Sequence, residues 1–250
     1  MRTRLRARSK SLSAPALAAA APSVDPAPRT LAERARQLIY ADIVGGRLQP
    51  GRKLRPDELR LDYALGTSPI REALLRLSAE GFVTLEGQRG FSVPQTTEEE
   101  LLDIAGTRSL LSCRAMTLAI ERGDDEWEAQ VVAAYHRLEK IAAPMKREPL
   151  EYRDEWDRRN RDFHIALEAA CGSPWLLKLS ALAVSQSERY RRHTIGYDRL
   201  LPAVQDDHAA IMHAAITRDA AQACRLLAEH IESGAQRVLK AMRKRAAGRR

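Results

Sequence analysis

The sequence predicts a mainly α protein in which three helices and a β-hairpin precede an all-α helical bundle. Three observations predict this class. Apolar residues recur at helical spacing in three short segments before residue 80, and two alternating segments follow, Phe82–Glu86 and Phe91–Val93. From Thr97 to about residue 241 the periodicity is helical throughout, which indicates six or seven helices and no strands. The length of 250 residues suits two domains.

We place the first domain at residues 29–94 and the second at residues 98–238. A basic tail, residues 1–28, precedes them, and a second basic tail, residues 239–250, follows. After its basic start the first tail is rich in Ala, Pro and Ser, a composition typical of disorder. It either contacts DNA through its basic side chains or has no partner, and the sequence leaves both alternatives open.

The net charge of +8 is unevenly distributed along the chain. Residues 29–94 have a net charge of +3, whereas residues 95–239 have a net charge of −5. The remaining basic excess lies in the two tails. This distribution favours a polyanionic partner such as nucleic acid for the first domain and a different task for the second.

Cysteine usage and hydropathy indicate the cellular compartment. Cys113, Cys171 and Cys224 are widely spaced, odd in number and form no CxxC pair. The sequence therefore predicts a protein of the reducing cytoplasm rather than a disulfide framework. No apolar run approaches the roughly 20 residues that a membrane helix requires, so we expect no membrane partner.

Two helices open the first domain. Thr30, with Glu33 three residues later, forms a capping box and predicts the start of the first helix. The apolar stripe of this helix is Leu31, Ala35, Leu38, Ile39 and Ile43. A turn at residues 49–51 separates it from the second helix, expected at Asp57–Leu65. The candidate core residues of the second helix are Leu59, Tyr63 and Leu65.

The third helix has the pattern expected of a DNA-recognition helix. We expect Gly66 to end the second helix in left-handed backbone, and Thr67 or Ser68 to cap the third. Its apolar stripe at positions i, i+3, i+4 and i+7 is Ile70, Ala73, Leu74 and Leu77. Arg71 lies off the stripe, near the two hydroxyl groups, where it could bond phosphate or a guanine edge in the major groove. An ordinary surface helix would show the same pattern, so this helix alone does not distinguish a DNA-recognition helix from a surface helix.

The segment that follows the third helix predicts a wing. Phe82–Glu86 and Phe91–Val93 read as two strands joined by a tight turn, and Gln88 and Arg89 lie at its tip. Three helices followed by a hairpin with a basic tip are the order of a winged helix-turn-helix.

Residues 31–94 resemble the DNA-binding domain of the GntR family of bacterial transcription regulators. Three motifs carry the resemblance in order: residues 46–54 (GRLQPGRKL), residues 68–74 (SPIREAL) and Glu80-Gly81. The residues that it implies for contact with double-stranded operator DNA are Lys53, Arg55, Thr67, Ser68, Arg71, Gln88 and Arg89. Among them, Lys53 and Arg55 would contact phosphates. Many relatives have an arginine at the position of Thr67, so the resemblance does not give the operator sequence.

Three of the six histidines have a spacing that suits a metal site. Asn160 and His164 lie at i and i+4, so on a helix their side chains share a face about 5–6 Å apart. His208 and His230 follow on two further predicted helices. Three neutral imidazoles and one oxygen ligand suit a divalent ion such as Zn²⁺ or Ni²⁺. Separate core or surface histidines would have the same spacing, so the spacing alone does not distinguish a metal site from unrelated histidines.

Residues 98–238 resemble the FCD domain, the all-helical ligand-binding domain of the FadR branch of the GntR family. The motifs that carry this resemblance are Asn160-x-x-Phe163-His164, the turn at residues 171–174, Asp207-His208 and Glu229-His230. It implies that Asn160, His164, His208 and His230 ligate a metal, with Asn160 in place of the commoner Asp. It also implies that Arg108 reaches an effector, with Ser112 nearby where many relatives carry Glu. The alternative for Arg108 is a structural salt bridge.

These expectations describe a DNA-binding transcriptional regulator and not an enzyme. We expect a repressor that binds a palindromic operator as a homodimer and responds to a small carboxylate at the metal site. A metal-free regulator of the same fold is one alternative. A metal-dependent hydrolase fused to a DNA-binding domain is the other, but the chain has no HExxH motif and no nucleophile elbow. Glu229 also cannot serve as a base beside His230, because adjacent helical residues do not share a face.

Overall fold

The computed structural model describes residue 28 and residues 30–87, 90–194 and 201–247, without the side chains of residues 193–194 and 201–206. Most of the basic N-terminal tail and the predicted wing-tip contacts Gln88 and Arg89 lie outside the described residues. Within the described part no helix is long and apolar enough to cross a membrane.

The described chain is mainly α, with a small sheet near its N-terminal end. Its α-helices are α1 Leu31–Val44, α2 Pro56–Asp62, α3 Thr67–Ala79, α4 Glu98–Arg122, α5 Asp125–Arg147, α6 Pro149–Glu168, α7 Pro174–Thr194, α8 Leu201–Ile216 and α9 Ala220–Ala247. Its strands are β1 Lys53–Leu54, β2 Thr84–Leu85 and β3 Phe91–Ser92. A 3₁₀ turn, Ala169–Cys171, connects α6 to α7. The predicted fold class is thereby confirmed, and the part of the chain after residue 97 that the structure describes contains six α-helices, within the expected six or seven.

The N-terminal core forms where α1 packs against α3. The predicted stripe of α3 is fully buried, since Ile70, Ala73, Leu74 and Leu77 all have no exposed surface. In α1, Ala35, Ile39 and Ile43 are buried, whereas Leu31 and Leu38 of the predicted stripe are exposed. The cap of α1 is confirmed, because Thr30 Oγ1 accepts a hydrogen bond from the backbone N–H of Glu33 at 3.1 Å.

The junction between α2 and α3 differs from the prediction. Helix α2 ends at Asp62 instead of Leu65, and the left-handed residue is Ala64, with φ of 52°. The N–H of Leu65 bonds to the carbonyl of Arg60, a Schellman-type closure that satisfies a helix-end carbonyl and offsets the strain at Ala64. Gly66 has φ of −70° and is itself the N-cap of α3, which has no side-chain cap. The expected roles of Gly66 as left-handed terminator and of Thr67 or Ser68 as cap are therefore wrong.

The wing is part of a three-stranded antiparallel sheet with the strand order β1-β3-β2. Leu85 pairs with Phe91 across the hairpin, as the alternating pattern predicts, although each strand is only two residues long. The strand β1 was not expected. It pairs Lys53 with Ser92 and Leu54 with Phe91, so the segment between α1 and α2 is fixed to the wing.

The C-terminal bundle surrounds a second core, in which α4 packs against α7 and α9, and α5 against α6 and α8. Two boundaries differ from the prediction. Pro144, expected near a break, lies inside α5, which continues to Arg147. Helix α9 extends to Ala247, so residues 239–247, expected as a tail, are helical.

Helix α7 contacts the N-terminal core. Leu182 packs against this core, and Gln186 Nε2 donates a hydrogen bond to the carbonyl oxygen of Glu80 at 2.8 Å. Glu80 follows directly after α3, so this bond joins the end of the predicted recognition helix to the bundle.

Candidate functional site

The three predicted histidine ligands come together in the bundle. His164 lies on α6, His208 on α8 and His230 on α9, and one ring nitrogen of each lies within 4.8 Å of the others. The ring centroids are 5.4 Å apart for His164 and His208, 5.5 Å for His164 and His230, and 4.6 Å for His208 and His230. All three side chains are buried. This group, the histidine cluster, is the only set of three or more potential metal ligands found among the described residues.

Asn160 adds an oxygen at the histidine cluster. It lies one helical turn before His164 and is buried. Its Oδ1 atom, together with Nε2 of His164 and Nε2 of His208, is inaccessible to solvent and has no hydrogen-bond partner within the described part of the chain. Buried polar atoms in proteins are almost always paired. Unpaired buried atoms on Asn160 and on two of the three clustered histidines therefore fit a bound cation.

Asp207 contacts the imidazole of His230 and fixes its orientation. Its Oδ2 atom is 3.2 Å from Nδ1 of His230. The carboxylate holds the proton on Nδ1, which leaves Nε2 as a lone-pair donor. Metal-binding histidines in proteins commonly have such a carboxylate partner, which fixes the ring and raises its basicity.

Electrostatics keep the three imidazoles neutral. Burial is the main cause that lowers the pKa of His164 and of His208 well below the usual value, and the neighbouring imidazoles and arginines add to it. Burial also lowers the pKa of His230, although Asp207 opposes this shift. Neutral imidazole binds metal and imidazolium does not, so the cluster is in the binding form at neutral pH.

A pocket with a volume of about 70 Å³ adjoins the histidine cluster. Asn160 and His230 belong to its wall, and so do three basic side chains, Arg108 on α4, Arg191 on α7 and Arg237 on α9. The apolar wall residues are Leu101, Ala105, Trp156, Ile231, Ala235 and Val238. Arginine guanidinium groups bind carboxylates in bidentate geometry, so the pocket suits a small anion with an apolar part.

Arg108 belongs to the pocket wall, but Ser112 does not, and contact of Arg108 with an effector stays a prediction. Arg108 is buried and its Nε has no hydrogen-bond partner among the described residues, whereas the carboxylates of Glu168 and Glu188 act on it electrostatically, so a structural role beside them stays an alternative. Burial, followed by the charge of Arg191, lowers its pKa to about 10. Ser112 Oγ instead lies 3.0 Å from Ser180 Oγ, beside the buried Glu168. Direct contact of Ser112 with an effector stays a prediction.

Sequence reasoning missed Asp207, Arg191 and Arg237 as site residues. Asp207 was visible in the Asp-His motif but was given no role. Arg237 lies seven residues after His230 and therefore shares its helical face, which is a signal that the sequence does contain. No spacing points to Arg191, because it enters the pocket from α7, a different helix.

The predicted DNA-contacting side chains lie at the surface of the N-terminal part. Ser68 and Arg71 are exposed in the first turns of α3, and Thr67 is half-buried. Arg71 has no ion pair with any described residue and so is available to a ligand. Lys53 and Arg55 are exposed on and after β1, and Arg55 Nη1 donates to Glu58 Oε1 at 2.7 Å. Five of the seven residues predicted to contact DNA therefore lie within the described ranges, and Gln88 and Arg89 lie outside them.

Comparison with known proteins agrees with this arrangement. Residues 31–93 match the family of bacterial regulatory proteins described as the gntR family, and residues 103–233 match the FCD domain. The chain is 40% identical over 205 residues to the HTH-type transcriptional regulator BphR of Paraburkholderia xenovorans, covering 82% of this chain and 84% of that protein. It is 41% identical over 194 residues to the HTH-type transcriptional repressor GlaR of Escherichia coli, covering 76% and 87%. These relatives are transcriptional regulators and not enzymes.

Solved structures give the same fold. The E. coli protein McbR/YncC superposes with a TM-score of 0.69 at 21% identity, covering 84% of this chain and 98% of that one. A GntR regulator from Rhodococcus also has a TM-score of 0.69, at 19% identity, with the same coverage.

Proposed function

We propose a specific role for this chain, which belongs to the GntR family, carries an FCD domain and is a DNA-binding transcriptional regulator. It is a cytoplasmic repressor that binds a palindromic operator as a homodimer and responds to a small carboxylate. The printed name of GlaR, a transcriptional repressor, supports the direction of regulation. The histidine cluster beside an arginine-lined pocket is the observation that carries the ligand part of the proposal.

A divalent metal ion, Zn²⁺ or Ni²⁺, would be held by His164, His208 and His230, with Asn160 as a weaker fourth ligand. The unpaired buried atoms of these side chains and the neutral state of the imidazoles support this assignment. When bound, the ion supplies a Lewis acid that can accept an anionic oxygen. Asp207 keeps His230 in the required tautomer by accepting its Nδ1 proton.

The effector class follows from the chemistry of the pocket wall. Arg108, Arg191 and Arg237 present three guanidinium groups, while the apolar wall excludes water around the body of the ligand. A carboxylate would be bound by charge-assisted hydrogen bonds, which are about twice as strong as neutral ones. Arg108 is the strongest candidate, because its buried Nε has no hydrogen-bond partner among the described residues.

Operator reading would depend on the exposed start of α3. Arg71 and Ser68 project from the face opposite the buried stripe, so α3 can enter the major groove while its apolar side stays in the core. Lys53 and Arg55 would fix the position of the domain on the phosphates. Thr67 is the first residue of α3.

Metal content tests the site directly. We expect one ion per subunit after reloading with Zn²⁺ or Ni²⁺, and loss of that ion in His208→Ala. His136→Ala is the matched control, because His136 is exposed, lies outside the cluster and should leave the metal content unchanged. Asn160→Asp should tighten binding, since a carboxylate adds negative charge to the ligand set. Equal, near-zero metal in wild type and His208→Ala would contradict the metal centre and favour the metal-free regulator.

Effector binding is tested by thermal shift with small carboxylates, each in the presence and absence of metal. A ligand at about 100 times its Kd stabilises the folded state by roughly 2.7 kcal/mol. The expected result is a shift that requires metal and is lost in Arg108→Ala. A shift that persists unchanged in Arg108→Ala would contradict the proposed binding mode. An operator gel shift with the same compounds then shows whether the ligand releases DNA.

A further inference from the structure

Two cysteines that play no part in the proposed function face each other between α4 and α9. Cys113 Sγ lies 3.4 Å from the carbonyl oxygen of Cys224, and Cys224 Sγ lies 3.4 Å from the carbonyl oxygen of Cys113. They are 111 residues apart in sequence. These reciprocal contacts bring the thiol of each cysteine to the backbone of the other. A disulfide between the two residues would need their Cα atoms to lie about 4.4–6.8 Å apart.

The surroundings of this pair, which we call the thiol pair, stabilise a thiolate on Cys224. The neighbouring Cys113 side chain is the main cause that lowers the pKa of Cys224 to about 6. Thr117 acts in the same direction, with Oγ1 3.1 Å from Cys224 Sγ, while burial opposes it. The pKa of Cys113 is raised for the complementary reason, because its proton is shared with Cys224. Both residues are half-buried, so a small solute can reach them.

The third cysteine provides a contrast within the same chain. Cys171 is fully buried in the core of the bundle, and its sulfur is hydrogen-bonded to the backbone of Ser173. It has no thiol neighbour. A thiolate is the reactive form of cysteine, and reactivity also requires access, so Cys171 is expected to be inert under conditions that oxidise the thiol pair.

We propose that Cys113 and Cys224 are a redox-sensitive pair that hydrogen peroxide converts to an intramolecular disulfide joining α4 to α9. In the first step the Cys224 thiolate attacks one peroxide oxygen. The S–O bond forms, the O–O bond breaks, the sulfur is oxidised to a sulfenic acid, and hydroxide leaves. In the second step Cys113 sulfur attacks the sulfenic sulfur. The S–S bond forms, the S–O bond breaks, and the hydroxide leaves with the Cys113 proton as water. A dithiol reductant restores both thiols.

The disulfide would tie together two walls of the effector pocket. Helix α4 carries Arg108 just over one turn before Cys113, and α9 carries His230 and Arg237 after Cys224. A covalent bond at this point limits the separation of the two helices. This consequence for ligand affinity rests on the proposed function, whereas the formation of the disulfide does not.

The test uses the full chain, reduced and then treated at neutral pH with hydrogen peroxide. We expect the intact mass to fall by two hydrogen atoms, a non-reducing peptide map to show Cys113 joined to Cys224, and dithiothreitol to reverse both changes. Cys171 should remain a free thiol, and Cys171→Ala should form the same link. In Cys113→Ala, Cys224 should react roughly tenfold more slowly, because its thiolate has lost the neighbouring donor. The product should then be a sulfenic acid that dimedone traps.

Absence of the Cys113–Cys224 link after peroxide treatment overturns the proposal, whether the thiols stay reduced or form other products. Equal rates for Cys224 in wild type and Cys113→Ala would likewise overturn the activating role of Cys113. The effect on the pocket is measured separately, by the affinity of the oxidised and reduced forms for an active carboxylate. An unchanged affinity would remove the regulatory consequence but leave the disulfide in place.

Discussion

The contact between Asp207 and His230 allows a sharp test of the metal centre. Asp207→Asn keeps the size of the side chain and an oxygen that can accept the Nδ1 proton, but removes the negative charge. The hydrogen bond from His230 is the main cause that lowers the pKa of Asp207, so the two groups interact electrostatically in the folded protein. Removing the charge should make His230 less basic and therefore a weaker metal ligand.

The size of the effect follows from the exposure of the carboxylate. Changing a partner of a metal-bound histidine typically weakens metal affinity by about 10–100-fold. The Asp207 side chain retains 38% of its exposure, and water screens its charge. We therefore expect the lower end of this range, about tenfold, which corresponds to about 1.4 kcal/mol.

Competition with a chromophoric chelator at neutral pH measures this difference. Glu229→Gln is the matched control, because it removes one negative charge from the residue next to His230 on an exposed face of α9. We expect the control to bind metal as the wild type does. Equal affinities for Asp207→Asn and Glu229→Gln would refute the argument that the carboxylate acts through the imidazole.

Three further predictions concern the DNA reader, the N-terminal core and the imidazoles. Arg71→Ala should weaken operator binding by about 1–3 kcal/mol per subunit without changing metal content, and an unchanged gel shift would remove Arg71 from the reader. Leu74→Ala should destabilise the protein by about 2–5 kcal/mol because Leu74 is fully buried, whereas exposed Leu75→Ala should change urea unfolding by less than about 0.5 kcal/mol. Metal-free protein should lose stability as the pH falls below about 6.5, because unfolded imidazoles take up protons that the buried cluster, with lowered pKa values, does not. The loss is up to about 1.4 kcal/mol per pH unit for each imidazole, and a flat urea-unfolding profile from about pH 7 to 5.5 would contradict it.

Local periodicity predicted the buried face of α3 in full, whereas two residues of the predicted stripe of α1, Leu31 and Leu38, are exposed. A stripe at i, i+3, i+4 and i+7 is a property of helical geometry alone, so Ile70, Ala73, Leu74 and Leu77 could be assigned without knowledge of their partners. The ends of the helices were harder to predict than their buried faces. Ala64 takes a conformation that Ala rarely adopts, because a backbone hydrogen bond from the next residue offsets its cost, and side-chain identity carries no signal of that bond.

The candidate site likewise has one part that the local sequence predicts and another that depends on how the helices pack. The i, i+4 relation of Asn160 and His164 follows from a single helix, but His208 and His230 reach the same point only through the packing of α6, α8 and α9. Their convergence was predicted by resemblance and could not have been derived from spacing. The arginines of the pocket come from α4, α7 and α9, so neither source of information identified Arg191.

Helix α7 contacts both the pocket of the C-terminal bundle and the N-terminal core. Ser187 and Arg191 belong to the pocket wall, while Leu182 and Gln186 contact the N-terminal core and the end of α3. These contacts lie within about three turns of one helix, and adjacent turns of a packed helix move together. A ligand changes DNA binding only if its affinity differs between two arrangements of the protein. A shift of α7 that brings Arg191 closer to a carboxylate would also move Gln186 relative to Glu80, and α7 would then link the proposed effector pocket to the end of α3.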